Sequence, residues 1–374
     1  MQKITDILHQ LKKLKLQIID RYIMRRFLGT YLFAIALIIL IVVIFDAAEK
    51  IDDFLEGHAP ISEILLSYYV NFIPYFVNQF SGLFTFIAVI FFTSKMAYNT
   101  EIIAILSSGV SFRRMMWPYF VSSLLITLLS LSLNLFLIPE ANARRLAFET
   151  KYMGKHKSVY EPHIYRQLGP GTFVYIRGFQ GQTKVAEYFA IETYNGGNIV
   201  SSLEAQNARF DTVTGRWKAA KYITRHYEGE REILTKYTTP LDTAVNLIAD
   251  ELGRTQDLVQ TMNSVKLRKF IHQQEAKGSD MVPIFQVEAY SRWAYPISTF
   301  VLTLIGVSLS SRKVRGGTGL HIGIGITLCF TYIVLMRFTG EFAKGGLLPP
   351  VIAVWLPNVL YALVGIYLYR KAPK

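Results

Sequence analysis

Apolar residues in this chain gather into long uncharged blocks up to about residue 138, then alternate with polar ones, then form blocks again. Six blocks stand out: residues 27–45, 64–94, 115–138, 293–311, 318–336 and 350–369. Each is close to or above the roughly 20 residues that cross a bilayer as a helix. The second is too long for one straight span, so Pro74 is expected to end a surface helix and open the span. Pro139-Glu140 is expected to close the third.

Between the third and fourth blocks the period changes to two. Thr172 to Arg177, Val185 to Thr193, Ile199 to Phe210, Trp217 to Tyr227 and Glu232 to Tyr237 read as strands. Gly169-Pro170-Gly171, Asn195-Gly196-Gly197 and Asp211 to Gly215 read as the turns between them. An antiparallel sandwich or open barrel follows. Ser264 is expected to cap a helix through about Ala276. The fold class is therefore a helical membrane protein of six spans with an all-β domain inserted. Its segments are 1–139 (three spans), 140–280 (the β domain and a helix near its end) and 281–374 (three spans).

The stretch Met96 to Trp117 interrupts the second and third blocks with a short amphipathic helix, over about residues 99–109. Asn99 or Thr100 can cap its start, and Glu101 lies in the first turn, where the helix dipole favours an acid. Ile102, Ile103, Ile105 and Leu106 form an apolar face, Gly109 is a suitable stop, and Ser111 can cap the next helix. A helix of this kind between two spans is shaped to dock into a soluble partner.

Charge orients the chain. The 374 residues are 51% hydrophobic and carry a formal net charge of +13, with basic residues placed beside the spans. Lys95, Arg113, Arg114, Arg312, Lys313, Arg315, Arg370 and Lys371 all fall on one side of a six-span topology, which puts both termini in the cytoplasm. No basic soluble domain with a recognition motif exists, so nucleic acid is not the partner. Residues 1–26 place apolar side chains at helical spacing among lysines, as in a helix lying in the membrane interface; a frayed basic tail is the alternative. The acidic run after the first block offers no signal-peptidase site, so that span is expected to be retained. The single cysteine, Cys329, lies in a span and allows no internal disulfide.

Enzyme motifs are missing. There is no phosphate-binding glycine loop and no paired-cysteine or histidine metal motif, so no cofactor or metal is expected on this chain and no catalytic residue is assigned. Gly316, Gly317, Gly319, Gly323 and Gly325 run into a span, where small residues let helices approach. A carboxylate pair assembled from distant loops would still permit a hydrolase. Two cations near the membrane boundary are candidates for anionic lipid headgroups, Arg337 and Lys50. Arg337 could instead pair with Glu341 one helical turn away, and Lys50 with the acids around it.

Several short motifs recur in order along the chain. They are Ile19-Asp20-Arg21-Tyr22-Ile23, then Thr100-Glu101-Ile102 through Gly109-Val110-Ser111. Phe173-Val174-Tyr175-Ile176 and Ala208-Arg209-Phe210 through Gly215-Arg216-Trp217 follow, then Gly346-Leu347-Leu348-Pro349-Pro350 and Trp355-Leu356-Pro357-Asn358. Together they resemble the LptF/LptG (YjgP/YjgQ) permeases of lipopolysaccharide export, over nearly the whole chain. The Asp20-Arg21-Tyr22 start leans towards the LptG branch. The resemblance implies a half-transporter of the inner membrane with a periplasmic β-jellyroll. Its implied partners are a homologous second permease, a cytoplasmic ATPase dimer that supplies ATP hydrolysis, a single-span membrane protein and a periplasmic jellyroll bridge. By position, Thr100, Glu101, Ile102, Ile105, Leu106 and Gly109 would meet the ATPase. Phe173 and Tyr175 would line a path for the lipid. Family members can carry a basic residue at the outer end of span one, facing lipid phosphates, whereas this chain reads Asp46-Ala47-Ala48-Glu49-Lys50 there.

A secondary transporter for another amphiphile would place ionisable residues at the centres of the spans, and none is found there. A membrane scaffold with a protein-binding outer domain is the third reading.

Overall fold

The computed structural model describes residues 17–153, 160–181, 183–229, 231–243, 245, 255–279, 281–312 and 317–372. The interfacial helix expected over the first residues falls largely outside them. In chain order the helices are α1 (Ile18–Glu56), α2 (Ile61–Tyr98), α3 (Glu101–Ser107), α4 (Phe112–Tyr152), α5 (Thr255–Thr261), α6 (Ser264–Ala276), α7 (Val282–Ser310), α8 (Gly317–Lys344) and α9 (Pro350–Lys371). Among the described residues six of these are long and apolar enough to cross a membrane: α1, α2, α4, α7, α8 and α9.

Three of the spanning helices continue far past the apolar blocks. α1, α2 and α4 have 39, 38 and 41 residues, about 60 Å at 1.5 Å per residue, twice the hydrocarbon thickness. Neither Pro74 nor Pro139 ends its helix, contrary to the local reading. Each follows a π-helical stretch, Ile64–Tyr69 in α2 and Leu133–Leu137 in α4, where the backbone pairing is already shifted out of the α register that a proline would break. Side chains serve the loosened carbonyls: Asn71 Nδ2 donates to Ser67 O at 2.9 Å. The same device recurs at Pro296 in α7, where Asn134 Nδ2 donates 3.2 Å to the carbonyl of Arg292, four residues upstream.

The chain divides into two compact units. The first takes residues up to Ala48, Ile73–Leu137 and Tyr290 onward; the second takes Glu49–Phe72 and Ile138–Ala289. The first unit is helical. Ile23, Phe27, Phe92, Met96, Ile102, Met115 and Tyr119 make one buried cluster, and Phe86, Leu302, Ile305 and Tyr332 make another. Among the described glycines entering α8, Gly325 lies where a Cβ would collide with a neighbour, Ile90, while Gly319 and Gly323 face open space. Gly306 on α7 is a second close approach, against Val89 and Phe86.

The second unit carries the inserted sheet of eight antiparallel strands. They are β1 (Tyr160–Gly169), β2 (Thr172–Gln180), β3 (Val185–Asn195), β4 (Asn198–Asp211), β5 (Arg216–Ala219), β6 (Tyr222–Glu228), β7 (Arg231–Tyr237) and β8 (Leu241–Thr243). β1 to β4 pair in sequence order. The sheet then forks, because β5 pairs with Arg209–Asp211 at one end of β4 while β6 pairs with Ser201–Glu204 at the other. This fork splits the single strand expected from Trp217 to Tyr227. Val174, Ile176, Phe179, Phe189 and Trp217 close over one another on one sheet face, with Trp217 stacked on Phe189 at 5.2 Å. α6 is capped by Asn263, whose Oδ1 accepts from Lys266 N at 2.8 Å, rather than by Ser264. In the same unit the ends of the long helices meet in a cluster of Phe54, Tyr68, Tyr69, Phe72 and Phe148.

Candidate functional site

The short helix α3 starts without a side-chain cap. Thr100 takes a left-handed conformation (φ 62°), and its hydroxyl donates back to Asn99 O at 2.6 Å. Asn99 Nδ2 donates to Glu101 Oε1 at 3.2 Å instead of capping the helix. The other end follows the sequence: Gly109 turns the chain at φ 88°, and Ser111 Oγ accepts from Arg114 N at 3.3 Å as cap of α4. Along α3 the apolar face is turned inward. Ile102 is 1% exposed and packs with the helical core, and Ile105 and Leu106 rest half-buried against it. The surface left to a partner is Ile103 at 52% exposure, together with Thr100, Ala104, Ser107 and Gly109. Ile102 thus supports that surface from beneath.

Two side-chain bridges fasten this segment to the start of α1. Asp20, 2% exposed, accepts from both Arg114 Nη1 (2.7 Å) and Nη2 (2.6 Å), and from Gln17 N at 2.7 Å. Tyr22 OH donates to Glu101 Oε2 at 2.9 Å, and the Tyr22 ring meets Phe92 edge-on. A two-pronged guanidinium–carboxylate pair fixes geometry as well as distance. Sequence reasoning missed it because its members lie 94 residues apart. The available signal was that Asp20 is the sole acid between Lys12 and Arg26.

The two candidate headgroup cations differ. Glu341 is taken by Lys344 Nζ at 2.7 Å, so the expected internal pair with Arg337 is not made. Arg337 is exposed and makes no ion pair among the described residues. It stands at a cavity of about 90 Å³ between α2, α4, α7 and α8, lined also by Asn78, Ser81, Ser130, Tyr295 and Tyr332. Ser130 Oγ donates to Asn78 Oδ1 there, and Tyr31 OH bonds Ser81 Oγ at 2.8 Å. Lys50 is already engaged: it donates to Tyr68 OH and lies over the rings of Tyr68 (4.7 Å) and Phe72 (5.7 Å).

Phe173 and Tyr175 occupy one face of β2 and alternate with Val174 and Ile176, which are fully buried on the other. Phe173 meets Tyr194 at 5.6 Å, and Tyr175 stacks on Tyr165 at 4.5 Å. The candidate lipid path residues therefore lie opposite the packed face, whose interior is filled around Trp217.

The sequence matches the family described as "Lipopolysaccharide export system permease LptF/LptG" over residues 21–371. It is 20% identical, over 303 residues, to the lipopolysaccharide export system permease protein LptG of Escherichia coli strain K12, covering 80% of this chain and 83% of that protein. LptG of E. coli O6:H1 strain CFT073 aligns with the same identity and coverage. With nearly the whole length matched, the six apolar helices and the inserted antiparallel sheet are those of a multi-pass permease, and the chain belongs to the LptF/LptG family of lipopolysaccharide export permeases.

Proposed function

We propose that this permease is the passive, moving half of an ATP-driven exporter. A cytoplasmic ATPase dimer binds ATP and bears on α3, and a homologous second permease completes the membrane part. Lipopolysaccharide leaves the inner membrane between the two permeases. It then passes along the periplasmic sheet domain to a bridge of jellyroll domains, aided by a single-span partner.

The physical need for an engine follows from the cargo. Burying one methylene is worth about 0.8 kcal/mol, so one acyl chain of a dozen carbons represents on the order of 10 kcal/mol against entering water. Work on that scale must come from a partner, since this chain carries no nucleotide-binding motif.

The observation that carries the reading is the fastening of α3. Its apolar side is locked into the core through Ile102, its outward side is open at Ile103, and Glu101 and Arg114 tie it to α1. A push on Ile103 and Ala104 is thereby delivered to the first span rather than absorbed by a loop. Arg337, exposed at a cavity whose wall also carries Asn78, Ser81 and Ser130, is suited to an anionic headgroup. A photocrosslinker at position 103 tests the coupling: it should capture the ATPase in the assembled complex. Capture of lipid alone would refute it.

A further inference from the structure

The sheet face that bears Phe173 and Tyr175 has a chemistry of its own. Register places Tyr165, Tyr175, Ala190 and Glu204 side by side across β1 to β4. Tyr165 is 58% exposed, whereas Ala190 is only 2% exposed, a small floor residue under taller aromatic neighbours. Tyr175 stacks on Tyr165 and meets Tyr188 edge-on at 5.9 Å. His163 Nδ1 bonds Tyr175 OH at 3.0 Å. Arg177 lies 4.8 Å over the Tyr188 ring, and the Glu204 carboxylate lies near the Tyr188 hydroxyl. Arg225 bridges Glu204 (3.1 Å) and Glu232 (2.6 Å).

Two of these residues hold unfavourable backbone. His163 (φ 51°) and Tyr188 (φ 52°) lie on either side of β2, both non-glycine and both left-handed. Such conformations are unfavourable for residues with a Cβ and persist where the surroundings over-determine them. Here they interrupt the pairing beside Arg177 and re-aim two rings.

A face for acyl chains would be aliphatic. This one joins π faces to phenol hydroxyls, carboxylates and guanidinium groups. Flat rings accept the C–H faces of pyranose sugars, and the adjoining acceptors and donors match sugar hydroxyls and acidic substituents. The opposite face, where aliphatic and aromatic carbon does collect, is already packed shut. We infer that the Tyr165–Tyr175–Tyr188 face of the sheet domain is a saccharide-binding surface that holds the sugar portion of the exported glycolipid rather than its acyl chains. This rests on the export reading above and adds to it which part of the substrate this face grips.

The test uses the full purified chain in detergent and two probes made from lipopolysaccharide by mild acid hydrolysis: the lipid-free oligosaccharide and the separated lipid A. Saturation-transfer NMR should show the oligosaccharide bound. Tyr165→Ala with Tyr175→Ala should weaken that binding about tenfold, the loss of two ring contacts. Tyr165→Phe with Tyr175→Phe retains the rings and should hold affinity within about threefold, which separates loss of a site from loss of the fold. Lipid A should not compete. Oligosaccharide binding unaffected by the alanine pair, competition by lipid A, or capture of a protein rather than glycan by a photocrosslinker at Tyr165 would each overturn the inference. ATP-dependent lipopolysaccharide release by the reconstituted wild-type complex is measured in parallel. Release without oligosaccharide binding removes this inference alone, whereas absence of release removes the export reading.

Discussion

Asp20 and Arg114 stand 94 residues apart in sequence and face each other through two hydrogen bonds of 2.7 and 2.6 Å, on a carboxylate almost wholly buried. The pair binds the first turn of α1 to the first turn of α4, immediately after α3. Asp20→Asn should therefore lower the stability of the helical unit by about 3 kcal/mol, because it leaves a guanidinium half-buried without its counter-charge. In the assembled complex, ATP hydrolysis should persist while lipopolysaccharide release falls. The exchange Asp20→Arg with Arg114→Asp should recover part of both losses. Thermal melting and a release assay on the same preparations check this.

Ile102 and Ile103 are adjacent yet should behave oppositely. Ile102→Ala opens a cavity in the helical core and should cost about 2–5 kcal/mol in stability. Ile103→Glu sits on the surface, should leave stability within about 0.5 kcal/mol, and should reduce co-purification of the ATPase. A melt and a pull-down on each variant decide it; an Ile103→Glu variant with full assembly and transport would count against α3 as the contact.

At the other candidate site, Arg337→Gln should weaken retention of an anionic lipid while Lys344→Gln, which frees Glu341, should not. Native mass spectrometry of lipid carried by each purified variant reads the difference directly. Equal retention by both would remove Arg337 from the headgroup site.

Asp211 and Lys218 connect β4 and β5 at 2.7 Å, and the lysine chiefly holds the Asp211 carboxyl well below the usual carboxylate range. A depressed carboxyl adds stability above its unfolded pKa of about 3.9 and loses it as pH falls towards the folded value. The contribution is small, since the pair is solvent-exposed. Asp211→Asn should flatten the dependence of sheet-domain melting on pH below about 4 and leave neutral-pH behaviour nearly unchanged. Melting curves between pH 2 and 7 provide the comparison.

The spans were legible because their signal is long and repeated: an uncharged block of bilayer length has few other uses. Ser111 as cap and Gly109 as stop were legible because each acts on its own neighbours. Pro74 and Pro139 misled because the local rule assumes no outside help, and Asn71 together with the π-helical stretches supplies it. The inward side of α3 was not legible, since an amphipathic helix looks the same whether its apolar stripe meets a partner or its own core. The division of the strand from Trp217 to Tyr227 depended on how β4 shares its edge, a property of pairing rather than of composition. Tyr165, Tyr188 and Ala190 became a surface only once register aligned them.

The central claim is that this chain is moved by a partner's nucleotide and has no engine of its own. The most direct measurement reconstitutes it in vesicles twice, alone and with the proposed second permease and ATPase, and follows lipopolysaccharide release with and without ATP and with an imposed ion gradient. The account predicts release only from the complete assembly and only with ATP. Release by the chain alone, driven by the ion gradient, would contradict it.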